Sequence, residues 1–311
     1  MSSVISDRHF HDEAEAYAYV EARVWPNGPV CPHCGNADPA RIRLMEGKST
    51  RIGVRQCNEC RKPFTVKVGT IFEASHVPLR LWLQAIHLIC SSKKGISANQ
   101  LHRILGVTLK TVWFMGHRIR EAMREGGLAP MGGEGSIVEV DETFFGRKQG
   151  MEPKRGWVHH KSTVLTLVER GGSARSFHVE SVRQEDVLPI IRANLARESH
   201  VMTDEAARYA RLGDEFAKHD AVDHSREEYA YHDRKTGTLI GTNTVEGYYS
   251  IFKRGMKGIY QHCQEKHLHR YLAEFDFRYS NRVRLGVNDV ERADRALRGV
   301  VGKRLTYQTT N

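Results

Sequence analysis

The stretch Ile137-Val138-Glu139-Val140-Asp141-Glu142-Thr143-Phe144-Phe145-Gly146 decides how the second half of the chain is read. Its first five residues spell an apolar strand that ends on Asp141. A carboxylate at the end of a buried strand must be paired or coordinating, because an isolated buried charge is costly. Asp204 has the same setting after Val201-Met202-Thr203. Glu246 lies at the start of a helix that begins Asn243-Thr244-Val245, and Lys253 follows two helical turns later on the same face. Three carboxylates on two strands and one helix can hold two Mg²⁺ (or Mn²⁺) ions about 3.5–4 Å apart, as phosphoryl transfer requires. The ligands are hard oxygens, and open positions remain for water and phosphate. Glu142 and Glu205 point to the opposite faces if the strands continue, so both are set aside. Asn243, three residues before Glu246, fits a helix N-cap in a capping box.

Outward from this stretch the text alternates strands and helices. Strand-like segments cover 162–169 and 175–182, a helix 185–197, a short strand 201–203, and a further helix starts at Glu205. Residues 218–241 are polar and His-rich with no legible periodicity. A long helical region runs from Asn243 to about Arg284, interrupted around 255–260, and a polar, basic tail follows Gly286. Upstream, Gly126, Gly127, Pro130, Gly132, Gly133 and Gly135 mark the main linker.

Before the linker the chain reads as helices. Pro78 suits a first helical position and Gly95 a stop. Ser97 caps a helix through Leu101 to Leu105, Gly106 supplies the turn, and Thr108 caps a third helix through Val112 to Met123. This is helix-turn-helix form, and its last helix offers Thr108, Lys110, Thr111 and Arg118 to a DNA major groove.

Further upstream, Cys31-Pro-His-Cys34 and Cys57-Asn-Glu-Cys60 are two CxxC pairs flanking a strand–turn–strand pattern: strands at 41–45 and 52–56, then an alternating Phe64-Val66-Val68 run. Two such pairs complete the tetrahedron of thiolates that one structural Zn²⁺ accepts, the pattern of a zinc ribbon. His33 inside the first knuckle reads as exposed rather than a ligand. Cys90 and Cys263 read as buried or incidental thiols. A helix over 12–24, capped by Asp12, precedes the ribbon.

Composition sets the outer bounds. The 311 residues carry 47 Lys+Arg against 37 Asp+Glu, a formal net charge of +10, with 40% hydrophobic and 27% charged residues. That excludes a disordered tail or a fibre, and the surplus favours polyanionic partners. The most apolar stretch, 79–90, is broken by Arg80, Gln84 and His87, so no bilayer span is expected. No basic-then-apolar leader opens the chain, which reads as cytoplasmic.

Three segments together resemble one family. Trp25-Pro-Asn-Gly-Pro-Val-Cys-Pro-His-Cys-Gly35, Val140-Asp-Glu-Thr-Phe-Phe-Gly146 and Asn243-Thr-Val-Glu-Gly-Tyr-Tyr-Ser-Ile-Phe-Lys-Arg254 are similar to bacterial insertion-sequence DDE transposases with an N-terminal zinc ribbon, the ISXO2-like, Merlin-related group. Gly255-Met-Lys-Gly258 and residues 266–278 extend the resemblance, which covers roughly residues 10 to 285. It implies a multidomain α+β chain: an N-terminal helix (1–28), a zinc ribbon (29–72), a helix-turn-helix domain (73–132), an RNase H-like α/β catalytic domain with a mixed sheet (133–285) and a basic tail (286–311). It implies cleavage of terminal inverted repeats and joining to target DNA in the bacterial cytoplasm. Asp141, Asp204 and Glu246 match the acidic positions and Lys253 the basic position after them, while Asn243 competes with Glu246 as a ligand in this family. Arg254, Lys257, Lys266 and Arg270 then read as contacts to the DNA backbone. Trp157 and Tyr248 read as core residues before base-stacking ones. Pairing two element ends implies a homodimer or larger assembly on double-stranded DNA. The rival functions are a zinc-dependent DNA-binding regulator with an inert nuclease-like domain, and a plain RNase H-like nuclease.

Overall fold

Apolar residues that alternate between two faces build the central sheet. The computed structural model describes residues 3–148, 150–152, 160–204, 207–223 and 230–306. In chain order the elements are α1 (Glu13–Val24), β1 (Ile42–Leu44), β2 (Arg55–Cys57), β3 (Pro63–Phe64), α2 (Leu79–Ser91), α3 (Ala98–Leu105), α4 (Leu109–Met123), β4 (Ile137–Phe145), β5 (Ser162–Glu169), β6 (Ala174–Val179), α5 (Gln184–Asn194), β7 (His200–Asp204), β8 (Lys218–Val222), β9 (Ala230–His232), β10 (Leu239–Gly241), α6 (Asn243–Gly255), α7 (Leu268–Ser280) and α8 (Asp289–Arg298). They form two compact units, residues 1–125 with 287–311, and residues 126–286. Among the described residues no helix is long and apolar enough to cross a membrane.

In the first unit, the Asp12 side chain accepts the Glu15 N–H at 2.9 Å and starts α1. Glu13 then accepts the N–H groups of Leu79 and Arg80 at 2.7 and 3.2 Å, so α1 supplies the cap that Pro78 cannot give α2. β1, β2 and β3 form an antiparallel three-stranded sheet, with Ile42 opposite Cys57. The Phe64-Val66-Val68 run does not continue as a strand past Phe64. The N–H of Val68 turns back to the Thr65 carbonyl at 3.1 Å and Gly69 takes φ +75°, so the alternating apolar residues sit on a turn. Ser97 and Thr108 cap α3 and α4, and Gly106 joins them at φ +67°, left-handed backbone that glycine adopts without strain.

The region after Gly286, expected as a basic tail, contains α8, which belongs to the first unit. Asn288 caps it at 2.9 Å. Ala296, Leu297 and the stem of Arg292 are its buried residues, and Arg292 donates to the Cys90 carbonyl at 2.8 Å. So few apolar positions concealed the helix, because an arginine stem does part of the burying.

The second unit holds a five-stranded mixed sheet in the order β6-β5-β4-β7-β8. β4 pairs antiparallel with β5 and β5 with β6, whereas β4 pairs parallel with β7 and β7 with β8. On one face Val138, Val140, Leu165, Leu167 and Val201 pack with Val187 and Ile191 of α5. On the other, Phe145, Val164 and Val168 pack with α6 and α7 through Val245, Tyr249, Phe252, Leu272 and Phe275. β4 continues past Asp141 to Phe145, so Asp141 stands inside the strand rather than at its end. The His-rich stretch supplies the edge strand β8 and the antiparallel pair β9–β10, whose polar residues carry no apolar alternation. Where a helix was expected from Glu205, residues 207–209 and 212–214 form short 3₁₀ turns. Glu205 and Trp157 lie outside the described residues.

Candidate active site and zinc cluster

The two CxxC turns bring four sulfurs together. Cys31 and Cys60 lie 3.7 Å apart, as do Cys34 and Cys57, and all four sulfurs fall within 4.8 Å of one another. A tetrahedron with Zn–S bonds of about 2.3 Å has edges of about 3.8 Å, so the donor set fits one zinc ion. The first knuckle closes by Gly35 N–H to the Cys31 carbonyl at 2.9 Å, with Gly35 at φ +75°. The backbone N–H of Cys60 holds the Cys57 thiol down to about 6, aided by the Asn36 amide, which stands 3.6 Å from its sulfur. That favours the thiolate a metal needs. His33 is exposed and outside the cluster.

In the second unit, the parallel register of β4 and β7 sets Glu139 beside Met202. Two residues further on, Asp141 and Asp204 come abreast, and their carboxylates lie within 4.8 Å of each other and of Glu142. Burial pushes Asp141 up to about 6. The charges of Asp204 and Glu246 add to that rise, while the Glu142 N–H at 2.7 Å and the charge of Lys253 oppose it. Of the four expected residues, Asp141 and Asp204 come within reach of one ion, while Glu246 and Lys253 act on Asp141 through their charges. Glu246 is exposed at the start of α6, and the Lys253 ammonium lies 5.8 Å from the Tyr249 ring centroid. The Tyr249 hydroxyl donates to the Asp141 carbonyl at 2.6 Å and fixes α6 against β4.

Glu142, set aside on strand alternation, belongs to this cluster. It turns to the other side of β4, where Tyr209 donates a short hydrogen bond and Arg208 pairs with it at 2.9 Å. One carboxylate oxygen nevertheless reaches the Asp141–Asp204 group. Burial pushes Glu142 up to about 7 against the pull of Tyr209 and Arg208. Carboxylates this close are mutually repulsive, and hard-oxygen donors in such a group fit divalent cations such as Mg²⁺.

The start of α6 has an unexpected anchor. The N-cap position is Thr242, not Asn243, and neither satisfies the first turn. Glu139, fully buried in β4, does so instead: it accepts the N–H groups of Thr244 and Val245 at 2.7 and 2.9 Å and the Thr244 hydroxyl at 2.7 Å. Arg170 pairs with Glu139 at 2.6 Å and donates to the Leu239 and Gly241 carbonyls. Asn243 is an exposed first helical residue, and Thr242 donates its hydroxyl to Glu246 at 3.1 Å. Nothing but a lone Glu inside Ile137-Val138-Glu139-Val140 signalled this clamp, and it is the same signal that singled out Asp141.

Comparison with known proteins bears on what this arrangement serves. Residues 132–280 match the ISXO2-like transposase domain and residues 11–63 the transposase zinc-ribbon domain. The chain carries an ISXO2-like transposase domain behind a transposase zinc ribbon. An uncharacterized protein in transposable element ISH50 of Halobacterium salinarum is 27% identical over 271 residues, covering 82% of this chain and 86% of that protein. One chain of a simian T-cell lymphotropic virus intasome, solved with PP2A regulatory subunit B56 gamma, is 17% identical. The match covers 57% of this chain and 63% of that one, less than two thirds of its length, at a TM-score of 0.29.

The residues of the transposase expected to meet DNA divide sharply. Thr108 and Lys110 are exposed and Thr111 half-buried at the start of α4; Arg254, Lys257 and Lys266 are exposed, and Arg270 is half-buried beside His267. Arg118 does not belong with them. It is 6% exposed and donates to the carbonyls of Ile71, Glu73 and Leu305 at 2.8, 2.9 and 3.2 Å, with its guanidinium 4.6 Å from the Phe114 ring centroid. A position ten residues into α4 has rotated onto the face that packs inward, so Arg118 is a buried structural arginine. Tyr248 is likewise buried and donates to Asp276 at 2.6 Å, which excludes base stacking.

Proposed function

We propose that this transposase binds the terminal inverted repeats of an insertion sequence, cleaves the DNA at them and joins the ends to target DNA. The observation that carries the reading is the placing of Asp141 and Asp204 abreast on parallel strands, with Glu246 and Lys253 acting on Asp141 from α6. The sheet order, three antiparallel strands continued by two parallel ones, supports reading residues 133–285 as an RNase H-like catalytic domain. Caps at Ser97 and Thr108 around the Gly106 turn support a helix-turn-helix within 73–132, next to a ribbon at 29–72. Thr108, Lys110 and Thr111 would then face the major groove.

In this reading Asp141, Asp204 and Glu246 hold two divalent cations, Mg²⁺ or Mn²⁺, and Cys31, Cys34, Cys57 and Cys60 hold one structural Zn²⁺. Divalent cations bound at such carboxylates activate a water or 3′-hydroxyl and stabilise the leaving oxygen of phosphoryl transfer. Tyr209 and Arg208 keep Glu142 ordered at the rim of the group. Lys253, with Arg254, Lys257, Lys266 and Arg270, supplies positive charge for the DNA backbone, which positions the strand without reading its sequence. Holding two ends in one complex calls for a dimer or larger assembly.

The test is the Asp141→Asn variant. It is expected to bind terminal-repeat DNA like the parent and to lose Mg²⁺-dependent strand cleavage. Nicking of terminal-repeat DNA by this variant would overturn the assigned role. Specific binding by the parent without any metal-dependent cleavage would instead indicate a regulator.

A further inference from the structure

Glu139 lies two residues before Asp141 on β4, and the helix turn it grips lies immediately before Glu246 on α6. It is fully buried, yet among the described residues its hydrogen bonds go not to the acidic group but to the N–H groups of Thr244 and Val245, the Thr244 hydroxyl and Arg170. A buried carboxylate is retained only where it is well partnered, and among the described residues its partners are the first turn of α6 and the arginine that also ties down Leu239 and Gly241. The helix has no side-chain cap of its own. The carboxylate therefore replaces the missing cap from across the sheet, where the positive end of the helix favours an anion. It joins the strand that carries Asp141 to the helix that carries Glu246.

We propose that Glu139 is a positioning residue: with Arg170 it sets where Glu246 stands relative to Asp141 and Asp204, and so sets the cation affinity of the site. This rests on the reading of those three carboxylates as metal ligands. Glu139 itself touches neither cation nor DNA, and its effect passes through Glu246. A residue that acts through another is recognised by non-additivity.

The experiment is Mn²⁺ titration followed by electron paramagnetic resonance on the full, zinc-loaded chain without DNA. The variants are Asp141→Asn, Glu246→Gln, Glu139→Gln and the double Glu139→Gln/Glu246→Gln, each checked for folding by circular dichroism. We expect Glu246→Gln and Glu139→Gln each to weaken Mn²⁺ binding about tenfold, and the double variant to be no weaker than Glu246→Gln alone. Thr244→Val removes one of the hydrogen bonds without stranding a charge, so it carries the test if Glu139→Gln does not fold. It should weaken binding a few-fold, and that loss should vanish in the Glu246→Gln background. Additive losses, or unchanged binding in Glu139→Gln and Thr244→Val, overturn the positioning role. Mn²⁺ binding that survives Asp141→Asn undamaged overturns the metal-site reading itself, an outcome distinct from additivity.

Discussion

Arg118 separates a structural arginine from a DNA-binding one, and Arg118→Met is the perturbation that decides between them. Methionine keeps the apolar stem while removing the charge and the donors. Three backbone carbonyls, those of Ile71, Glu73 and Leu305, lose their donor. An unsatisfied buried carbonyl costs about 1–3 kcal/mol, and the Ile71 bond is the most buried of the three. The guanidinium stacked 4.6 Å from the Phe114 ring contributes about 0.5–1 kcal/mol more. Relief of the guanidinium's own desolvation offsets part of this, leaving a net loss of about 2–4 kcal/mol. For a unit of about 150 residues that corresponds to a fall in Tm of about 5–15 °C. Tryptophan fluorescence follows it well, since Trp25, Trp82 and Trp113 lie in the first unit. Below the transition, DNA affinity and its salt dependence should match the parent. Unchanged stability together with weaker, less salt-sensitive DNA binding would refute the structural assignment.

Other consequences can be measured independently. Cys57→Ser leaves three thiolates, so most of the roughly 10–16 kcal/mol of apparent zinc binding typical of such sites should be lost; zinc content by plasma emission and amide exchange over 29–72 read it out, and full retention of zinc would contradict the cluster. Asp276 accepts from Tyr248, the Ser176 hydroxyl and the Ser176 N–H, yet full burial pushes it up to about 7. Its folded value thus exceeds the unfolded one near 4, the folded state holds the extra proton between those values, and stability should fall as pH rises from 4 to 7 and then level off. Asp276→Asn should flatten that fall in urea titrations, and an unaltered slope would show that the group is ionised throughout. Arg254→Ala and Lys257→Ala should each make the log–log salt slope of DNA binding about 0.9 less steep if each neutralises one phosphate; unchanged slopes would place both side chains away from the backbone.

The legible parts of this chain were those in which spacing alone fixes geometry. Two CxxC pairs at this spacing favour a single four-thiolate cluster, and the sulfurs do converge. The strands and helices with strong apolar periodicity also read through, as did the caps Asp12, Ser97 and Thr108. What escaped depends on partners far away in sequence. Glu139 and Asp141 carry the same local signal, a charge among apolar strand residues, but only the tertiary contact with α6 separates their roles. Glu142 was set aside on alternation, which tells the face of a strand and not the reach of a long side chain. Arg118 looked exposed because a helix-turn-helix template ends at its recognition face, whereas α4 continues and turns inward. β8, β9 and α8 are mostly polar, and polar elements take their fold from their neighbours.

The central claim is that the acidic group on β4, β7 and α6 performs both cleavage and joining. It is tested most directly by incubating the full-length protein with DNA bearing its element's terminal repeats and a supercoiled plasmid target in Mg²⁺. Joined end–plasmid products should form with the parent protein and be absent with Asp141→Asn. Cleavage without joining would leave a plain nuclease, and joined products made by Asp141→Asn would contradict the assignment of the site.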